Sequence, residues 1–150
     1  MATAWENFQE LMRIEMEKTY SKIAVGYMLN PQNLGRIPDA DIHASVAGVC
    51  GDEMEMWLKV KDEIIENASF CTTGCGATVA CGGMVTSLAK GKTLGEALSI
   101  GADIIVQNLG GLPDDHIHCA GLASLTLKKA IIAYINLPKK PEKKISNKNP

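Results

Sequence analysis

The chain has 150 residues, and its content of 46% apolar and 21% charged residues is that of a globular protein large enough to bury one core. Its formal net charge is −2, but the last 14 residues, 137–150, hold five lysines and one glutamate, which leaves −6 for residues 1–136. This acidic body argues against nucleic acid as a partner, and no apolar run reaches the roughly 18 residues of a membrane span.

The N-terminal stretch MATAWENFQELMRIEMEK carries four glutamates, which suits neither a signal peptide nor an arginine-rich transit peptide. We therefore expect a cytoplasmic protein. Five cysteines are an odd number, and in a reducing compartment a disulfide framework is not expected. The thiols are then available for packing, catalysis or metal binding.

Apolar residues recur at spacings of three and four from residue 4 to about residue 28, which predicts an amphipathic helix ending before Pro31. Residues 1–19 are predicted to be an N-terminal helical extension, for which packing on the core is favoured over packing on a partner. A loop rich in proline, glycine and aspartate follows this helix.

Strict alternation in EMEMWLKV, residues 53–60, predicts a half-buried strand. After the turn KDE, the segment IIENASFCT is its predicted hairpin partner, and HASVAGVC, residues 43–50, is a third predicted strand. Helical patterns dominate the rest of the chain. The predicted helices cover Ala77 to Leu88, a short segment that begins at the capping pair Thr93 and Glu96, residues 103–109, and a long last helix from Asp114 or Asp115 to about Asn136.

These elements predict an α+β fold, with a small antiparallel sheet of about three strands packed against helices and a long C-terminal helix. Residues 1–136 are predicted to be a single domain, and the lysine-rich segment 137–150 a disordered tail. The pair Gly82-Gly83 inside a helix is unfavourable by about 1 kcal/mol per glycine, so we expect close backbone packing there.

Three cysteines, Cys50, Cys75 and Cys119, fall at the ends of predicted elements, where side chains are usually exposed. Two of them lie at helix N-termini, which favour the thiolate that binds metals or acts as a nucleophile. Cys71, inside a strand, and Cys81, on an apolar helical stripe, are instead predicted to be small buried hydrophobic residues.

Other candidate ligands lie beside these cysteines. Asp52 is two residues after Cys50, and His118 directly precedes Cys119. His116 is a further candidate, two residues before His118. Three sulfurs with one oxygen or nitrogen suit an iron–sulfur cluster or zinc, although no pair of cysteines has the spacing of a zinc ribbon.

The segments NPQNLG, CGDEMEMWLKV, FCTTGCGATVA, VTSLAKGKTLGEAL and HIHCAGLA resemble the U-type iron–sulfur cluster assembly scaffolds, the IscU/NifU-like family. The likeness runs in order from about Tyr20 to Ile135 and implies an antiparallel sheet packed with helices. It also implies that Cys50, Cys75 and Cys119 bind the cluster, with Asp52 and His118 as the further candidate ligands.

The resemblance implies a scaffold that is not an enzyme. It would build a transient [2Fe–2S] cluster from iron and the sulfur of a cysteine desulfurase and pass it to apo-proteins. An iron donor and a homodimer of the loaded form are further expectations, and zinc is expected in the isolated protein. We expect Cys119 to accept the sulfur first, because a helix N-terminus, a neighbouring histidine and exposure favour reaction there.

The chain departs from the family at several positions. In some members of the family, an Hsp70-type chaperone recognises a stretch that contains proline-valine-lysine. The corresponding stretch here is Pro113-Asp114-Asp115-His116, in which the middle is acidic and histidine replaces the lysine, so chaperone recognition is not expected. Tyr27 and Gln32 replace a histidine and an arginine. An alternative function is a zinc-binding sulfurtransferase partner of a cysteine desulfurase, and a structural domain with vestigial cysteines is a third.

Overall fold

Three antiparallel strands form one sheet, as predicted. The computed structural model describes residues 1–49 and 51–138, so Cys50 and nearly all of the predicted lysine-rich tail lie outside the described residues. Within those ranges the strands are β1 (Ile42–Ala47), β2 (Glu53–Lys61) and β3 (Ile64–Thr72).

The central strand β2 has the predicted alternation. Met54, Met56, Leu58 and Val60 are buried, while the residues between them face outward. A two-residue turn joins β2 to β3, in which Asp62 and Glu63 both adopt positive φ angles. This geometry is typical of the tight hairpin turns whose twist matches that of the strands.

Six α-helices accompany the sheet within the described residues. The two longest, α3 (Gly76–Ala89) and α6 (Ile117–Ile135), cover the sheet: α3 packs against β3, and α6 packs against β1 and β2. Thr93 and Glu96 form the predicted capping box of the short helix α4 (Leu94–Leu98), and a short 3-10 turn precedes α6. The helices are α1 (Ala4–Met16), α2 (Lys22–Leu29), α3 (Gly76–Ala89), α4 (Leu94–Leu98), α5 (Ala102–Asn108) and α6 (Ile117–Ile135), and the 3-10 turn is Asp114–His116.

The glycine pair inside α3 is a point of close packing, as expected. A Cβ atom on Gly82 would lie 2.5 Å from the ring of Phe70 on β3, and one on Gly83 would lie 2.7 Å from the ring of Tyr27 on α2. The absence of side chains at these two positions lets α3 approach both neighbours, which offsets the low helix propensity of glycine.

The prediction of one helix from residue 4 to about residue 28 is wrong, because the chain forms two helices separated by residues 17–21. Ser21 begins α2: its hydroxyl accepts a hydrogen bond from the N–H of Ala24 and donates one to the carbonyl of Leu109. A serine side chain that binds the backbone in this way favours a helix start over a helix interior. The apolar residues keep their helical spacing through residues 17–21, so this spacing did not predict the break.

The expected packing of the N-terminal extension on the core is also wrong. No residue of α1 is buried, and Trp5 and Phe8 are more than half exposed. Thr3 and Glu6 form a capping box, so local interactions stabilise the helix at its N-terminus. Among the described residues, no helix is both long and apolar enough to cross a lipid bilayer.

Candidate metal centre

The candidate site lies at one end of the sheet, where three parts of the chain meet. In the antiparallel register Ala47 pairs with Glu53, and Met54 pairs with Thr72. The connection between β1 and β2 and the residues that follow β3 therefore lie at the same end. Asp52 belongs to the first of these segments, and Cys75 belongs to the second.

Cys75 is the N-cap residue of α3, and it is exposed. Burial of part of its side chain opposes ionisation, but hydrogen bonds from the backbone and hydroxyl of Thr78 and from the N–H of Ala77 outweigh it. The pKa of the Cys75 thiol is consequently lower than usual. Free N–H groups at a helix N-terminus favour a thiolate in this way, as the sequence predicted.

Cys119 lies in the first turn of α6, as predicted, but the expectation that it is exposed is wrong. Its side chain is 1% exposed, because α6 packs against α3 and the sheet at this point. Burial raises the pKa of the Cys119 thiol; donation from Thr78 offsets part of this effect, and repulsion by Cys75 and Asp52 adds to it. The two cysteines therefore differ in both access and ionisation.

Thr78 connects the acidic and thiol groups of the site, and the sequence reasoning missed it. Its hydroxyl oxygen lies 3.3 Å from Asp52 Oδ2, 3.3 Å from Cys119 Sγ and 3.8 Å from Cys75 Sγ. Because Thr78 is fully buried, its hydroxyl group interacts with these protein groups and not with solvent. A threonine three residues after a helix N-cap faces that cap, and this spacing from Cys75 was the signal available in the sequence.

The carboxylate of Asp52 reaches the cysteines through Thr78. Its Oδ1 atom is buried and has no hydrogen-bond partner among the described residues. Gly74 permits this approach, because a Cβ atom there would lie 2.8 Å from Asp52 Oδ2 and 2.6 Å from the Thr78 hydroxyl. An unsatisfied buried carboxylate oxygen is energetically costly, and it is available to bind a cation.

The two histidines before Cys119 both lie at the site. His118 Nε2 is 3.8 Å from Cys119 Sγ. The His116 ring lies between those of Tyr20 and His118, with centroid distances of 5.7 and 6.4 Å, and its buried Nδ1 atom has no hydrogen-bond partner among the described residues.

Only part of the predicted ligand set is brought together among the described residues. The ligand atoms of Cys75, His116 and Cys119 lie within 4.8 Å of one another. Asp52 borders this group but is not within it, and Cys50 is outside the described residues. Thiol and imidazole ligands in this arrangement suit zinc or iron.

The other two cysteines are not part of this group. Cys81 is fully buried in α3, and burial raises the pKa of its thiol well above the usual range, so its prediction as a core residue is confirmed. Cys71 is only partly buried, because it lies near the end of β3. The expectation of full burial is wrong for Cys71.

Comparison with known proteins shows to which family the chain belongs. The sequence model of the NifU-like N-terminal domain matches residues 19–141. The chain belongs to this family. The match begins after α1, and it includes all the candidate ligands named above.

Relatives with the same domain are named as scaffold proteins. The chain is 46% identical over 116 residues to the iron–sulfur cluster assembly scaffold protein IscU 1 of Archaeoglobus fulgidus, covering 77% of this chain and 76% of the relative. It is 40% identical over 120 residues to the IscU protein of Escherichia coli K12, covering 77% and 93%.

Solved structures support the fold of the NifU-like domain. One is described as a cluster assembly scaffold protein for the SUF system of Fervidobacterium islandicum AW-1. It superposes with a TM-score of 0.62 at 20% identity and covers 75% of this chain and 96% of that one. At this identity the likeness concerns the fold alone.

Proposed function

We propose that the protein is a scaffold on which a [2Fe–2S] cluster is assembled from iron and the sulfur of a cysteine desulfurase, and from which the cluster passes to apo-proteins. The observation that carries this proposal is the convergence of Cys75, Cys119 and Asp52 around Thr78 at one end of the sheet. The names of relatives at 37–46% identity support the coarser function of an iron–sulfur cluster assembly scaffold.

The ligand chemistry explains why such a cluster would be transient. Four thiolates hold an iron–sulfur cluster firmly. We propose that Cys50, Cys75 and Cys119 supply three thiolates, and that Asp52 or His118 supplies the fourth ligand. Because a carboxylate oxygen is a harder ligand than a thiolate, one iron would be held less firmly and would be easier to remove.

Anaerobic reconstitution tests this function. The chain is incubated with a cysteine desulfurase, cysteine, ferrous iron and a dithiol reductant, which supplies the electrons that convert persulfide sulfur to sulfide, and then with an apo-ferredoxin. We expect cluster absorption in the visible range, followed by its appearance on the ferredoxin. A chain that accepts sulfur as persulfide but never acquires this absorption would contradict the proposal.

The alternative function is a zinc-binding sulfurtransferase that relays sulfur without building a cluster. The Cys75, His116 and Cys119 group favours this candidate, because the same ligands suit zinc. The two functions differ in the product: the sulfurtransferase would deliver persulfide sulfur while holding colourless zinc, whereas the scaffold would deliver iron and sulfide together.

The solvent exposure of the two thiols affects how sulfur can reach Cys119, which we propose is the first sulfur acceptor. Its thiol is buried against Thr78, whereas that of Cys75 is exposed. We therefore expect a bulky alkylating reagent to modify Cys75 well before Cys119 in the free protein. Cys119 is expected to become reactive when a desulfurase binds and opens the first turn of α6. Mass spectrometry of peptides, with Cys81 as the buried control, measures both rates, and equal rates in the free protein would contradict this expectation.

Replacement of Asp52 tests the exchangeable position. Asp52→Ala keeps the thiolates and removes the carboxylate, and imidazole from His118 can then fill the vacancy. We expect the variant to assemble a cluster but to release it about 10-fold more slowly, as groups around a metal commonly change its exchange to this extent. The measurement is the anaerobic transfer half-time to an apo-acceptor at matched loading.

Asp39→Ala is the matched control, because this exposed carboxylate pairs with Lys59 on the surface. It should transfer at the rate of the unmodified protein. Equal or faster transfer from Asp52→Ala would refute the labile role. Complete failure to assemble would instead make Asp52 an essential ligand.

The acidic turn before α6 predicts weak chaperone binding. Asp114 and Asp115 are exposed in the 3-10 turn, where the family's recognition stretch is apolar and basic. A peptide of residues 110–119 is expected to bind the Hsp70-type chaperone weakly or not at all. The control peptide carries Asp114→Pro, Asp115→Val and His116→Lys and should bind more tightly. A micromolar dissociation constant for the natural peptide, measured by fluorescence anisotropy, would contradict this prediction.

A further inference from the structure

The imidazole of His116 is the feature of the site that the proposed ligand set leaves unused. Its Nδ1 atom is buried, and no described residue offers it a hydrogen bond. Buried imidazole nitrogens are usually paired with a donor, an acceptor or a metal ion. The rings of Tyr20 and His118 lie beside the imidazole, with centroids 5.7 and 6.4 Å from its own.

The same imidazole lies beside two thiols. The ligand atoms of Cys75, His116 and Cys119 are within 4.8 Å of one another. In a tetrahedral site with metal–sulfur bonds of about 2.3 Å, two sulfurs are about 3.8 Å apart. Side-chain movements of about 1 Å would therefore allow all three ligand atoms to bind one metal ion.

We propose that His116 is the third protein ligand, beside Cys75 and Cys119, of a single divalent metal ion that this site binds in the absence of a cluster. This inference rests on the proposed function for the identity of the natural ion, ferrous iron. Three protein ligands leave one tetrahedral position for an incoming sulfur or carboxylate ligand.

Charge supports an imidazole as the third ligand. A divalent ion with two thiolates and a neutral imidazole has no net charge, whereas a carboxylate in place of the imidazole would leave a negative site. Cys119 is almost completely buried, and a neutral complex avoids the cost of burying a net charge. His116 therefore suits the buried side of the site, and Asp52 remains outside the three-ligand group.

Cobalt binding to the metal-free protein tests the inference without desulfurase or sulfide. The chain has three histidines, so single alanine variants of His43, His116 and His118 cover every imidazole. We expect His116→Ala to weaken Co²⁺ binding by at least about 10-fold, judged from sulfur-to-cobalt and ligand-field absorption. His43→Ala is the matched control, because this imidazole stacks on Trp57 and pairs with Glu55 on the sheet surface. Unchanged affinity in His116→Ala would overturn the proposal.

A second measurement uses the unmodified protein and does not depend on the folding of a variant. Cadmium-113 is added to chain labelled with nitrogen-15 in histidine, and the ring signals are assigned from the His43 and His118 variants. A scalar coupling between cadmium and a His116 ring nitrogen is expected. Coupling to His118 alone, or to no histidine, would overturn the inference. Failure of cluster assembly with intact cobalt binding would instead contradict the proposed function and leave this metal site standing.

Discussion

Cys75→Ser and Cys119→Ser are each expected to abolish the stable cluster. A serine hydroxyl does not ionise near neutral pH, and its oxygen is a poor replacement for a soft thiolate ligand of iron. Among the described residues, the group of close ligand atoms holds no thiol besides these two, so neither loss is compensated within that group. Cluster absorption per chain after anaerobic reconstitution is the measurement. Cys50→Ser is expected to have the same effect, on the basis of the sequence.

The remaining cysteines are the matched controls. Cys71→Ser and Cys81→Ser remove a thiol without removing a proposed ligand, so cluster yield should be largely unchanged. Because Cys81 is fully buried, its serine variant is expected to lose about 1–3 kcal/mol of stability from an unsatisfied hydroxyl. Circular dichroism and thermal unfolding check that each variant is folded. A folded Cys81→Ser protein without a cluster would show that Cys81 is more than a core residue.

Gly82→Ala is expected to destabilise the protein. The added methyl group would lie 2.5 Å from two ring carbons of Phe70, a fully buried side chain of β3. The ring cannot move without displacing its neighbours, and such overpacking costs about 1–3 kcal/mol. For a chain of this size we expect the Tm to fall by about 3–10 °C.

Gly121→Ala is the matched control, since Gly121 lies in α6 and a Cβ atom there meets no described atom within 4 Å. Alanine is a better helix former than glycine, so this variant should be as stable as the unmodified protein or more stable by up to about 1 kcal/mol. Thermal unfolding followed by circular dichroism compares the two. A Gly82→Ala protein as stable as Gly121→Ala would show that α3 and β3 are not in close contact.

The sequence predicted those parts of the fold that depend on local periodicity and turn chemistry. The alternation from Met54 to Val60 predicted β2, and the change to helical spacing after Cys75 predicted α3. The N-terminal break was missed, because Ser21, at which α2 begins, is held by a hydrogen bond to Leu109, a residue far along the chain. Long-range contacts of this kind leave no periodic pattern.

The same limit applied to the site. The chain order placed Cys75 and Cys119 at helix starts, but the burial of Cys119 depends on how α6 packs against α3. Thr78 resembles a core residue of an apolar helix until Asp52 and Cys119 are brought to its hydroxyl. The proximity of His116 to both thiols likewise depends on the 3-10 turn that precedes α6.

The hydroxyl of Thr78 joins Asp52 and Cys119, which lie 26 and 41 residues away from Thr78 in the chain. These atoms are neighbours only when the strands and both long helices are assembled, so an ion held there binds the folded chain and has far less affinity for the unfolded one. By mass action, an ion at 100 times its dissociation constant adds about 2.7 kcal/mol to the free energy of unfolding. In the function that we propose, the bound iron would thus also be a stabilising ligand, and its release to another protein would lower the free energy of unfolding.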